Sequence, residues 1–120
     1  MSVRNISEIE EIHGIEGTKI KQIFHPHNTL NGIRYSVAHF TIEKGKRSSI
    51  HKMRTSEIYY ILEGTGILHV DDEKINVKKD SSVYVPPMSK QHIENSGDSE
   101  LRFLCIVDPA WKQDDEILLE

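Results

Sequence analysis

The residues best suited to chemistry stand together in one stretch, GKRSSIHKMRTSEIYYILEG, from Gly45 to Gly64. It supplies one imidazole, His51, and one carboxylate at the head of an apolar run, Glu57, with Met53 and Tyr59 each two positions further on. Strand side chains alternate with a period of two, so His51 and Met53 share a face if they lie on one short strand. Glu57 and Tyr59 then share a face of the next. An imidazole and a carboxylate facing one another can help hold a borderline divalent cation. They can also hydrogen-bond each other in a metal-free pocket, where His51 is the base and Glu57 orients it. Both alternatives stand at this point.

The spacing resembles the first motif of the cupin family: glycine, five residues, His-x-His, a short gap, glutamate, six residues, glycine. Gly45, His51, Glu57 and Gly64 occupy their motif positions, and Met53 stands where the second histidine belongs. The second cupin motif falls on Asp80 to Asn95. Pro86 and Asn95 match it, Asp80 and Met88 replace its two glycines, and Gln91 takes the histidine position, with His92 one place later. The resemblance implies an all-β fold, the RmlC-like double-stranded β-helix or jelly-roll barrel. It also implies a divalent metal (iron, manganese, zinc, nickel or copper), with His51 and Glu57 as ligands and the remaining protein ligand from Gln91 or His92. The strict register favours Gln91. Ligand chemistry favours His92, which reaches the pocket only if a bulge turns it inward, because a one-residue slip sends a side chain to the other face. The implied function is binding of a small polar ligand in the barrel. The protein is then either a metal-dependent enzyme of oxygenase, isomerase or lyase type, or a metal-free or non-catalytic binder. The residues do not choose, nor do they name the ligand.

The elements that must position these groups are short strands. Ile58 to Leu62 is an unbroken run of β-branched, aromatic and aliphatic residues, as expected of a strand covered on both faces. Thr18 to Phe24 and Ile33 to Glu43 read as strands, the second entered by an Asn31-Gly32 turn and burying Ala38, Phe40 and Ile42, which leaves His39 outside. Gly66 to Val70 and the segment at Ile75 and Val77 form a hairpin about Asp71-Asp72-Glu73, with His69 outward. Val83 to Val85 is stopped by Pro86-Pro87. In Leu101 to Val107, charged Arg102 marks the outer face and assigns Phe103 and Cys105 to the interior. The pocket is therefore expected to be lined by His51, Met53, Glu57, Tyr59, Phe103 and Cys105. Asp108-Pro109 reads as the start of a short C-terminal helix docked through Trp111, Ile117 and Leu118. Ile6, Ile9 and Ile12 suggest one N-terminal turn, and His25 and His27 a solvated loop.

At 120 residues the chain reads as a single domain, with a core at about 18–107, an N-terminal arm over 1–17 and a C-terminal segment over 108–120. A formal charge of -4 argues against nucleic acid as a partner. The densest basic group, Lys44, Lys46, Arg47, Lys52 and Arg54, reads as a solvated loop rather than the rim of an anion pocket. No apolar run is long enough for a membrane span, and Met1 to Glu11 lacks a secretory h-region, so the expected location is cytoplasmic. Cys105 is the only cysteine and reads as a structural thiol. The apolar residues Ile58 to Leu62, Leu104 and Ile106 on a face that should be outside lead us to expect a homodimer.

Overall fold

The computed structural model describes residues 2–14, 17–29 and 32–120; Asn31 of the expected Asn31-Gly32 turn lies outside them. Among these residues the strands are β1 (Ile12–His13), β2 (Thr18–Phe24), β3 (Ser36–Ile42), β4 (His51–Met53), β5 (Ser56–Glu63), β6 (Thr65–Val70), β7 (Glu73–Lys78), β8 (Ser82–Val85), β9 (Gln91–Asn95), β10 (Leu101–Asp108) and β11 (Glu116–Leu118). One sheet runs β1-β2-β3-β10-β5-β8 and the other β11-β4-β9-β6-β7. The pairs are antiparallel, and strands distant in sequence lie side by side, as in a jelly roll.

Alternation decides which residues fill the space between the sheets. On β10, Leu101, Phe103, Cys105 and Val107 are buried while Arg102 is exposed; on β5 the buried set is Glu57, Tyr59 and Ile61. Facing them, Leu68, Val77 and Ile93 complete one core with Ile42 and Val85. Each such aliphatic or aromatic side chain stabilises the fold by roughly 1.5–3 kcal/mol on burial. Phe103 anchors this core, stacked on Phe40 with centroids 5.2 Å apart and tilted against Tyr59 at 5.4 Å.

The motif glycines have a structural reason. Gly64 turns β5 into β6 at φ 88°, and a Cβ there would lie 2.6 Å from the Glu100 carbonyl oxygen. At the two second-motif glycine positions the residues differ but the backbone does not: Asp80 has φ 71° and Met88 φ 68°, both in the left-handed region. Asn95 earns its place by binding backbone. Its amide donates to the carbonyls of Ile42 (3.0 Å) and Ser99 (2.8 Å) and its oxygen accepts from Gly97 N–H (2.9 Å).

The C-terminal segment corrects the expectation of a helix. Asp108 is not free to cap one, because its carboxylate accepts two hydrogen bonds from Arg34, at 3.1 and 3.0 Å. Only a 3-10 turn forms, over Gln113–Asp115, and the chain then adds β11 to the open edge of β4. There it satisfies a row of backbone groups that an exposed edge would leave unpaired. The N-terminal turn is a 3-10 turn at Ile6–Glu8, and β3 begins three residues later than the apolar pattern suggested. Among the described residues, no helix is long and apolar enough to cross a membrane.

Candidate functional site

Between the sheets lies a cavity of about 220 Å³, onto which His51, Met53, Glu57, Tyr59, Phe103 and Cys105 all face. β4 carries His51 and Met53, β5 carries Glu57 and Tyr59, and β10 carries Phe103 and Cys105. Strand parity thus brings the six residues expected to line the pocket onto one cavity, from both sheets. The N-terminal strands add the apolar residues Ile12, Ile20, Ala38 and Phe40, and Trp111 also lines the cavity. Trp111 is seated there by its backbone N–H, which donates to Ser36 Oγ at 2.9 Å.

His51 is buried, and its Nδ1 lies 2.8 Å from the Ser49 carbonyl. A carbonyl can only accept, so Nδ1 carries the hydrogen and Nε2 of the neutral ring is an acceptor. Glu57 is 6% exposed, and its Oε1 has no hydrogen-bond partner. Burial pushes its carboxyl above the ordinary carboxylate range, while Cys105, His51 and Gln91 beside it pull it part of the way back. The same burial, reinforced by the Glu57 charge, pushes the Cys105 thiol well up, so it is a buried, protonated group and not a nucleophile. An imidazole and a carboxyl of raised proton affinity on one cavity form an arrangement that can exchange a proton with a bound molecule.

Gln91 and His92 part company at this wall. Gln91 is 1% exposed, and Tyr59 O–H donates to its Oε1 at 2.6 Å. His92 lies on the opposite face, its ring stacked on His69 of β6 with centroids 4.1 Å apart and planes at 6°. His69 in turn meets Glu94 at 3.1 Å. The expectation that a bulge turns His92 inward is therefore corrected. β9 pairs with β6 in unbroken register from Gly66↔Asn95 to Val70↔Gln91. The irregularity is spent before the strand begins, where left-handed Met88 donates its N–H to the Met53 carbonyl at 2.7 Å.

This arrangement bears directly on a metal. Of the four expected ligands only His51 and Glu57 are strong donors facing the cavity. Gln91 has committed its oxygen to Tyr59, Met53 offers a soft thioether, and His92 faces away. Among the described residues no three histidine, cysteine or acidic groups gather as a metal site. His51, Glu57 and Glu116 line the cavity but are not gathered as a group that could share one ion, and with Met53 and Gln91 at the expected histidine positions the donor set does not fit a resident divalent ion.

Several lining groups escaped the sequence reading. Thr18 and Gln22 of β2 face the cavity, and Thr18 Oγ1 and Gln22 Oε1 are buried without a hydrogen-bond partner. Parity with Ile20 was the available signal for both. Glu116 of β11 also lines the cavity, beside Met53 in register; no local pattern pointed to it. None of Lys44, Lys46, Arg47, Lys52 or Arg54 does so, and Arg47 is held instead by Glu120 at 2.8 and 2.9 Å.

Comparison with known proteins agrees with the fold. The uncharacterized protein MJ1618 of Methanocaldococcus jannaschii is 40% identical over 106 residues, covering 88% of this chain and 84% of that protein. An oxalate-binding protein of Thermotoga maritima is 30% identical over 71 residues, 58% of this chain and 59% of the relative. Oxalate decarboxylase of Bacillus subtilis superposes with a TM-score of 0.83 at 26% identity, covering 95% of this chain but only 30% of the enzyme. A family profile described as the cupin domain matches residues 38–107, within which both motifs lie. Two antiparallel sheets wound as a jelly roll, motif glycines or their left-handed substitutes at the turns, and this match over more than half the chain make the protein a member of the cupin family.

Proposed function

We propose that the protein binds a small organic molecule in the cavity between its sheets, holding it with protein groups alone. The observation that carries this reading is that three residues lining one largely apolar cavity, Thr18, Gln22 and Glu57, each carry a buried polar atom without a partner: Thr18 Oγ1, Gln22 Oε1 and Glu57 Oε1. An unsatisfied buried polar group costs roughly 1–3 kcal/mol. Three at one cavity are accounted for if a ligand pairs with them. Concave, mostly apolar pockets with a few convergent polar groups are the usual form of a small-molecule site.

The competing reading, suggested by relatives named for oxalate, is that a metal would bridge this protein to a dicarboxylate. His51 and Glu57 both line the cavity, but no third ligating group gathers with them among the described residues. A small-molecule library screened by amide chemical shifts separates binding in the cavity from binding elsewhere. Shifts are expected at Thr18, Gln22, Ala38 and Glu57, and should be lost in Ala38→Leu, which fills space beside Phe40. Hits whose shifts map only to the outer sheet faces would contradict the proposal.

A further inference from the structure

We infer that the molecule bound in the cavity is uncharged or cationic, largely apolar and a donor of hydrogen bonds, and that dicarboxylates such as oxalate are excluded. This rests on the small-molecule reading above and specifies its chemistry. Among the described residues lining the cavity, none is lysine or arginine, whereas Glu57 and Glu116 are both acidic. An anion entering here would leave water for an enclosure that offers it no lysine or arginine and sets it beside two acidic side chains, with His51 the one titratable base on the lining, so its lost hydration is poorly replaced.

The unpartnered atoms point the same way. Gln22 Oε1 can only accept, an ionised Glu57 Oε1 likewise, and Thr18 Oγ1 accepts as readily as it donates. A ligand that satisfies all three must bring O–H or N–H groups. Its body must suit Ile20, Phe40, Met53, Phe103 and Val107, which present carbon and sulfur. A hydroxylated ring or a short amine on an apolar frame meets both demands; oxalate, with four acceptor oxygens and no carbon surface of its own, meets neither.

The test uses Trp111, the only tryptophan, which lines the cavity and reports its occupancy by fluorescence. Resorcinol, benzoate and oxalate are titrated separately, each with and without manganese(II). Resorcinol should saturate the response, with both anions weaker by on the order of ten-fold or more under either condition, a factor equivalent to about 1.4 kcal/mol. Gln22→Leu should weaken resorcinol by up to about ten-fold, the value of one hydrogen bond. If benzoate or oxalate binds more tightly than resorcinol, the ligand class is overturned while small-molecule binding stands. If Gln22→Leu binds resorcinol as well as the wild type, the requirement for donors is overturned. If none of the three changes Trp111 emission or the amide shifts of Thr18 and Gln22, the class and the small-molecule reading fall together.

Discussion

Replacing Tyr59 by phenylalanine removes one atom from the site and tests how its wall is built. Tyr59 and Gln91 are 2% and 1% exposed, and the phenol donates to Gln91 Oε1 at 2.6 Å. Without that donor a buried amide oxygen loses a partner that water cannot replace, which should cost roughly 1–3 kcal/mol. Gln91→Leu strands the tyrosine hydroxyl instead, at a similar cost. Together the two substitutions leave two apolar side chains in contact, which can be nearly neutral. The double-mutant cycle should therefore show a coupling of about 1–3 kcal/mol, the double variant being more stable than the sum of the single losses requires. Urea unfolding measures each term, and in a domain of this size each kcal/mol should also appear as a fall of about 3–6 °C in Tm. His92→Ala, on the other face of the sheet, should leave the coupling unchanged. Additive single losses would refute the inward placement of Gln91, as would a coupling that disappears in His92→Ala.

Four further outcomes follow from particular residues. The Glu57 carboxyl is held above its ordinary range, so its contribution to stability is complete below about pH 4.5 and is lost as pH rises through the folded-state value; Glu57→Gln should therefore gain stability relative to wild type as urea midpoints are measured from pH 4.5 upward, and a constant difference would contradict the burial argument. Burial, with His69 and Arg47 nearby, lowers His92, so the opposite sign holds there: stability should fall as pH drops below about 6.5, and His92→Phe should flatten that fall. Met88 is left-handed and 45% exposed, so Met88→Gly relieves strain of roughly 1–2 kcal/mol, offset by about 0.4–1 kcal/mol of extra freedom in the unfolded chain; a small net gain in urea midpoint is expected, and a loss above 1 kcal/mol would show that its side chain matters more than its backbone. On the outer face of the six-stranded sheet, Val37, Ile106, Ile58 and Tyr84 form one cross-strand row that Trp111 does not cover. We expect sedimentation to show a homodimer at micromolar concentration that Ile106→Glu converts to monomer, and a monomeric wild type would end this expectation.

The strands were legible where burial imposes strict alternation. β5, β6 and β10 each bury one face against the core, and their inward residues could be named from parity alone, whereas half-buried β2 hid Thr18 and Gln22. What parity could not supply was the fate of segments whose position is set by distant partners. β11 pairs with the edge of β4 because Arg34 takes the Asp108 carboxylate and Arg47 takes Glu120, contacts across 74 and 73 positions that leave no local trace. Glu116 reached the cavity by that route. The choice between Gln91 and His92 turned on the same kind of distant contact. Ligand chemistry argued for the imidazole, but the register is fixed by the ladder between β9 and β6 and by the His69–His92 stack, which reward the outward direction. The residues at the motif glycine positions carry a different lesson. Asp80 and Met88 read as departures from the pattern, yet the backbone there keeps the left-handed conformation that glycine would adopt at less cost.

The proposal that the cavity holds an organic molecule without a resident metal rests on His92 facing away and Gln91 being committed to Tyr59. Elemental analysis of untagged wild-type protein, run beside His51→Ala and paired with a resorcinol titration of Trp111 emission before and after chelation with EDTA, addresses it directly. The account predicts well under one equivalent of any divalent metal in both proteins and a resorcinol response that chelation leaves unchanged. About one equivalent of iron, manganese, zinc, nickel or copper in the wild type, lost in His51→Ala and needed for the fluorescence response, would contradict it.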